Sequence, residues 1–124
     1  KRYQRLIRNF WCATDDGKGH LYVGLHKGGL AVIDIQKRTA KVYKHNPEDP
    51  HSLPNNTVRC IFISQTNAIW IGTDKGLALF NPHKEQFISF QNQQENPNSL
   101  LSNQINDIGE SKDGKLWVCA HMEE

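Results

Sequence analysis

"IWIGTDKGLALFN", Ile69 to Asn81, decides the fold, because the chain writes it more than once. An earlier copy reads "LYVGLHKGGLAVID", Leu21 to Asp34, and the start of a third reads "LWV", Leu116 to Val118. Tyr22, Trp70 and Trp117 hold one column, and Val23, Ile71 and Val118 the next. Gly24 and Gly72 follow, where the third copy has Cys119. The spacing is 48 residues from Tyr22 to Trp70 and 47 from Trp70 to Trp117. The odd residue belongs to the pair Gly28-Gly29, which answers to the single Gly76. The agreement runs on outside the phrase: Tyr43 with Phe90, Ser52-Leu53 with Ser99-Leu100, Asn56 with Asn103, Val58 with Ile105. A fixed internal period of this length marks a solenoid, a propeller or an array.

The residue pattern selects among these. "VRCIFIS", "AIWIGT", "LALFN" and "QFISF" are short runs rich in β-branched and aromatic residues. Polar or Gly-containing breaks separate them, as in Asp74-Lys75-Gly76 and Asn81-Pro82-His83. Short strands joined by tight turns look like this. No stretch repeats apolar residues at helical spacing over three turns. Four strands per repeat of about 45 residues is the unit of a β-propeller blade. The predicted class is therefore all-β, a propeller fragment of about 2.6 four-stranded blades. The expected strands are 9–14, 20–26, 29–35 and 40–45 in blade one, then 57–64, 68–73, 76–81 and 86–91 in blade two. Strands 104–110 and 115–121 begin blade three. The chain divides into a lead-in (1–9), blade one (10–57), blade two (58–104) and part of blade three (105–124).

The segments "NPEDPHSLPNNTV", Asn46 to Val58, and "NQQENPNSLLSNQI", Asn92 to Ile105, connect the blades. Their prolines keep them out of helices and central strands. Leu53 and Leu100 are expected to plug each connector into the core. Tyr22, Trp70, Trp117, Gly24, Gly72 and Gly76 complete the set of repeat anchors, with the aromatic column read as packing rather than as a ligand platform.

Composition narrows the function classes. A net charge of +2 does not call for a nucleic-acid partner. The one basic cluster, Lys1, Arg2, Arg5 and Arg8, has only Tyr3 for stacking and reads as a solvated lead-in. Three cysteines, Cys12, Cys60 and Cys119, make no disulfide framework. Cys12 and Cys60 share a column on the first strand of adjacent blades and are expected to be small buried thiols. No Cys-x-x-Cys or similar ligand spacing points to a metal, and no cofactor motif is complete. "GKGHLY", Gly17 to Tyr22, lacks the third glycine and the helix of a dinucleotide loop. No nucleophile elbow or phosphate loop is present. Catalytic residues are therefore expected to be none. No run of 18 apolar residues marks a membrane span, and no signal peptide is evident. Arg59, Asn106 and Asp107 are polar residues on predicted first strands and are the candidates for lining a central channel. The competing reading bonds them to neighbouring blades or to water.

The two linked copies "SLPNNTVRCIF…IWIGTDKGLALFNP" and "SLLSNQINDIGESKDGKLWV" resemble the two-component regulator propeller repeat. The matching positions include Ser52, Leu53, Asn56, Val58, Ile61, Trp70, Gly72, Thr73, Asp74 and Gly76. In the next copy they include Ser99, Leu100, Asn103, Ile105, Asp113, Gly114 and Trp117. The sequence departs from the pattern at Tyr22, at Leu25, at Cys119-Ala120-His121 and over its first nine residues. The resemblance implies the periplasmic sensor region of a hybrid two-component histidine kinase of Bacteroides-like bacteria, non-catalytic in this segment. It also implies further propeller blades of a parent chain as partners, carbohydrate-responsive gene control and an oligosaccharide ligand. A scaffold propeller without a small ligand is the alternative, and a carbohydrate-active propeller enzyme a distant third.

A closed ring takes roughly four to eight blades, so 2.6 blades form an open arc. Such an arc is expected to leave two apolar faces bare and to self-associate through them.

Overall fold

The computed structural model describes residues 9–97, 99–100 and 102–121. Ten strands follow one another: β1 (Phe10–Asp15), β2 (His20–Leu25), β3 (Gly29–Asp34), β4 (Thr39–Tyr43), β5 (Val58–Ile63), β6 (Ile69–Thr73), β7 (Gly76–Asn81), β8 (Gln86–Phe90), β9 (Ile105–Glu110) and β10 (Leu116–Ala120). Each lies within about two residues of its expected span. They form antiparallel sheets in chain order, β1-β2-β3-β4 and β5-β6-β7-β8, followed by the pair β9-β10. This is the predicted all-β propeller arc. The first strands meet across the blades, β1 against β5 and β5 against β9, and so form the inner edge of the arc.

The connectors explain why the repeat keeps Ser and Asn. The Ser52 hydroxyl accepts from Asn46 N and donates to its carbonyl, and Ser99 does the same with Gln93. Asn56 Oδ1 accepts from His45 N, and Asn103 Oδ1 from Asn92 N. The backbone carbonyls of Asn56 and Asn103 accept from Gly29 N and Gly76 N at 2.7 and 2.6 Å. Those two glycines have φ of 90° and 122°. A side chain on either would also strike the carbonyl oxygen of Tyr43 or Phe90. Gly29 is therefore the partner of Gly76, and Gly28 is the inserted residue.

Leu53 is fully buried in the core between blades one and two, as expected of a plug, with Leu30, Val58, Ile71, Phe80 and Phe87. Phe80 and Phe87 stack there at 4.6 Å, with the Tyr43 ring edge-on to Phe80 at 5.0 Å. A second cluster of Cys60, Leu77, Ile105 and Ile108 joins blades two and three, with Leu100 and Trp70 packed on it. A third, Val23, Leu25, Ala31 and Ile33, lies in blade one.

Two expectations need correction. The aromatic column is not uniformly buried: Tyr22 is 3% exposed, Trp70 is half-buried and Trp117 is 62% exposed. The Tyr22 ring packs on blade two and the Trp70 ring on blade three. Tyr22 meets a complete blade, Trp70 a two-stranded one, and Trp117 no described strand. Nor are two faces equally bare. Blade one's own cluster is buried, whereas Trp117 at the other end stands 62% exposed; Phe10 and Ile35 of blade one are also open to solvent. The lead-in residues 1–8, with the basic cluster expected there, fall outside the described residues.

Candidate functional site

Each first strand carries a β-bulge at the same place. The register slips between Phe10 and Cys12, between Val58 and Cys60, and opposite the step from Cys119 to Ala120. The extra residues are Trp11, Arg59 and Asn106, which occupy one column of the repeat. A bulge re-aims its side chain and interrupts pairing, and bulges concentrate near functional sites.

Beside each bulge stands the first residue after the second strand: His26, Asp74 and His121. The Trp11 and His26 rings are parallel, 2° apart in plane and 5.1 Å between centroids. Arg59 pairs with Asp74 and lays its guanidinium over the Trp11 ring, 4.4 Å from the centroid. A ladder His26–Trp11–Arg59–Asp74 therefore spans blades one and two. Of the three channel-lining candidates, Arg59 is committed to this ladder, whereas Asn106 and Asp107 are exposed on β9. Trp11 was not among the candidates. Its signal in the sequence was its place in the column of Arg59 and Asn106.

The thiols sit one residue further along. Cys12 pairs in register with Gly24 and Cys60 with Gly72, and all three cysteines are free. Burial pushes the Cys12 thiol up to about 11 and the Cys60 thiol to about 12. In blade three the pair becomes Asp107 and Cys119, both exposed.

A cleft of about 920 Å³ opens between blades one and two on the opposite rim, where the β1–β2 and β3–β4 turns lie. Its blade-one wall carries a polar row, Asp16, His20, Asp34 and Thr39. The His20 Nδ1–H donates to Asp16 Oδ2 at 3.0 Å, because a carboxylate can only accept. Asp16 Oδ1 takes the backbone N–H groups of Lys18 and His20. Burial pushes the Asp16 carboxyl up, but these hydrogen bonds and the nearby imidazole outweigh it and leave the pKa lowered. His20 Nε2 stands 3.7 Å from Asp34 Oδ2, beyond hydrogen-bonding distance. Asp34 Oδ1 accepts from Lys37 N. Below this row lies Tyr22, and the blade-two wall offers Ile69, Phe80 and Glu85. Glu85 binds Lys41 and, at 3.0 Å, the Tyr43 hydroxyl, which staples the two blades at the cleft's edge.

Residues 52–75 match the two component regulator propeller family. That stretch runs from the connector serine through β5 and β6 to the turn after Thr73, which is where the propeller repeat is written most fully. No curated protein matches the chain. Among solved structures, the chain is similar to the extracellular domain of the hybrid two component system BT3049 from B. thetaiotaomicron. The identity is 24% and the TM-score 0.56, over 93% of this chain and 20% of that one. It is also similar to the extracellular domain of the hybrid two component system BT4673 from the same organism. Here the identity is 22% and the TM-score 0.73, over 90% of this chain and 15% of that one. At these identities the likeness is one of fold. The chain spans a fifth or less of the length of the structures it matches.

The propeller repeat separates two kinds of residue. Leu53, Val58, Gly72 and Ile105 recur because blades must pack in one way. Of the bulge ladder, Asp74 belongs to the repeat pattern, whereas Trp11, His26 and Arg59 stand at positions where the copies differ.

Proposed function

We propose that this chain is part of an extracytoplasmic ligand-sensing propeller of a two-component sensor. The match of residues 52–75 to the two component regulator propeller carries this reading. The likeness of fold to extracellular domains of two component systems supports it. The finer form is the periplasmic half of a hybrid histidine kinase that answers to carbohydrate, with the segment itself free of catalysis. The Trp117 side then meets further blades of the parent chain.

Signalling in such a sensor works by population shift. A ligand that bridges blades favours one arrangement of the receptor over another only to the extent that it binds the two differently. Rigid blades joined at packed seams suit that task, since a change at one seam tilts the next blade as a unit.

The test uses the complete protein in its own membrane. Oligosaccharides are screened for a dose-dependent change in autophosphorylation, alongside fractionation that asks on which side of the membrane residues 9–121 lie. A cytoplasmic location, or kinase output indifferent to every compound that binds, overturns the reading. Turnover of an oligosaccharide that vanishes on replacing one carboxylate would favour a carbohydrate-active enzyme instead.

A further inference from the structure

The bulge column holds Trp11, Arg59 and Asn106, and only the middle residue is ionic. Arg59 is held from two directions. Its Nε–H donates to Asp74, the first residue beyond β6. Its guanidinium carbon lies 4.4 Å from the centroid of the Trp11 ring on the preceding blade. That ring is itself stacked with His26.

These contacts use one of the five N–H groups of the guanidinium. The other four sit on the terminal nitrogens Nη1 and Nη2 and have no acceptor among the described residues. Asp107 on β9 acts on Cys60 from the same neighbourhood as Arg59, yet it makes no ion pair with Arg59. The Arg59 side chain keeps 23% of its surface open to solvent. The result is a cation fixed at one edge and over one ring, with its terminal donors uncommitted.

The kind of ligand follows from the shape of those donors. Two parallel N–H groups at the end of a planar cation match two oxygens of one oxyanion. A monatomic anion would use the charge but not the fork. Because Trp11 and Asp74 already hold the head, little rotamer freedom remains to be lost when a ligand arrives, and more of the interaction appears as affinity. Trp11, 45% exposed, adds apolar surface beside the charge.

We propose that the Arg59 end of the ladder is a binding site for an oxyanion group of a ligand, a carboxylate or a sulfate, gripped end-on by Nη1 and Nη2. The proposal goes beyond the sensor reading and does not depend on it.

The experiment follows the Arg59 Nε–H and Trp11 indole N–H resonances of the full chain, assigned with Arg59→Lys and Trp11→Phe. The probes are sodium acetate, sodium sulfate, sodium chloride (charge without paired oxygens) and acetamide (the shape of acetate without its charge). The expected result is a saturable shift at both resonances with acetate or sulfate, the tighter of the two identifying the group. Arg59→Lys keeps the charge but lacks the fork. Read at the Trp11 indole, it should weaken binding roughly tenfold or more, the scale of a lost charge-assisted hydrogen bond. No saturation with either oxyanion, an equal response to chloride or acetamide, or unchanged affinity in folded Arg59→Lys would each overturn the proposal.

Discussion

The Cys60 sulfur occupies the space that a side chain on Gly72 would need. A Cβ placed on Gly72 would lie 2.4 Å from Cys60 Sγ and 2.7 Å from Ile105 Cγ2 of the next blade. The previous seam repeats the arrangement, with Gly24 against Cys12 Sγ at 2.5 Å and Val58 Cγ1 at 2.7 Å. Glycine recurs in this column because side chains from two blades, one cysteine and one β-branched residue, converge on it.

Gly72→Ala should therefore destabilise the chain by roughly 1–3 kcal/mol, the range for an overpacked core. Gly109→Ala is the control: nothing lies within 4 Å of its Cβ position, and the change should stay within about 0.5 kcal/mol. Urea denaturation of both variants decides the matter, and equal midpoints would mean that the seam opens easily.

The thiols should titrate late and react slowly. Burial holds the Cys60 thiol protonated up to about 12 and the Cys12 thiol up to about 11, against an ordinary 9.0. Above pH 9 the unfolded chain loses these protons while the folded chain keeps them. Stability is full below pH 9 and falls as pH rises toward 11 and 12, by up to about 1.4 kcal/mol per pH unit for each thiol. Cys60→Ala should flatten that fall in melts taken between pH 8 and 10.5. An aromatic disulfide reagent at pH 8 should label Cys119, which is exposed, well before the other two.

Aromatic truncations should rank by what covers each ring. Phe87, 1% exposed in the seam between blades one and two, should cost roughly 3–5 kcal/mol on change to Ala. Trp117→Ala should cost within about 0.5 kcal/mol in this chain. Trp70→Ala should fall between them. A Trp117 cost as large as that of Phe87, read from chemical denaturation, would mean that another group covers the ring.

The open side should make the isolated chain self-associate, joining the Trp117 side of one copy to another part of the next in a heterologous contact. Light scattering should show mass rising with concentration, and Trp117→Asp should lower it. A wild-type monomer at every concentration would show that the open side is not adhesive.

The local sequence by itself determined the repeat unit. Strand spans, connector serines and asparagines, the Leu53 plug and the glycine column were all legible, because each answers to a short-range rule: alternation, turn chemistry, a required φ. The period then dictated that blades stack in chain order. The fate of each copy was decided only by the tertiary structure. Tyr22 and Trp117 hold the same column, yet one is buried and the other bare, since burial depends on what stands opposite and not on the residue. The bulges at Trp11, Arg59 and Asn106 were invisible for a similar reason. A bulge shows only in how one strand registers against another. The cleft was hidden more deeply. Asp16, His20, Tyr22 and Asp34 read as turn and strand residues one at a time, and only the seam between two blades brings them to one wall.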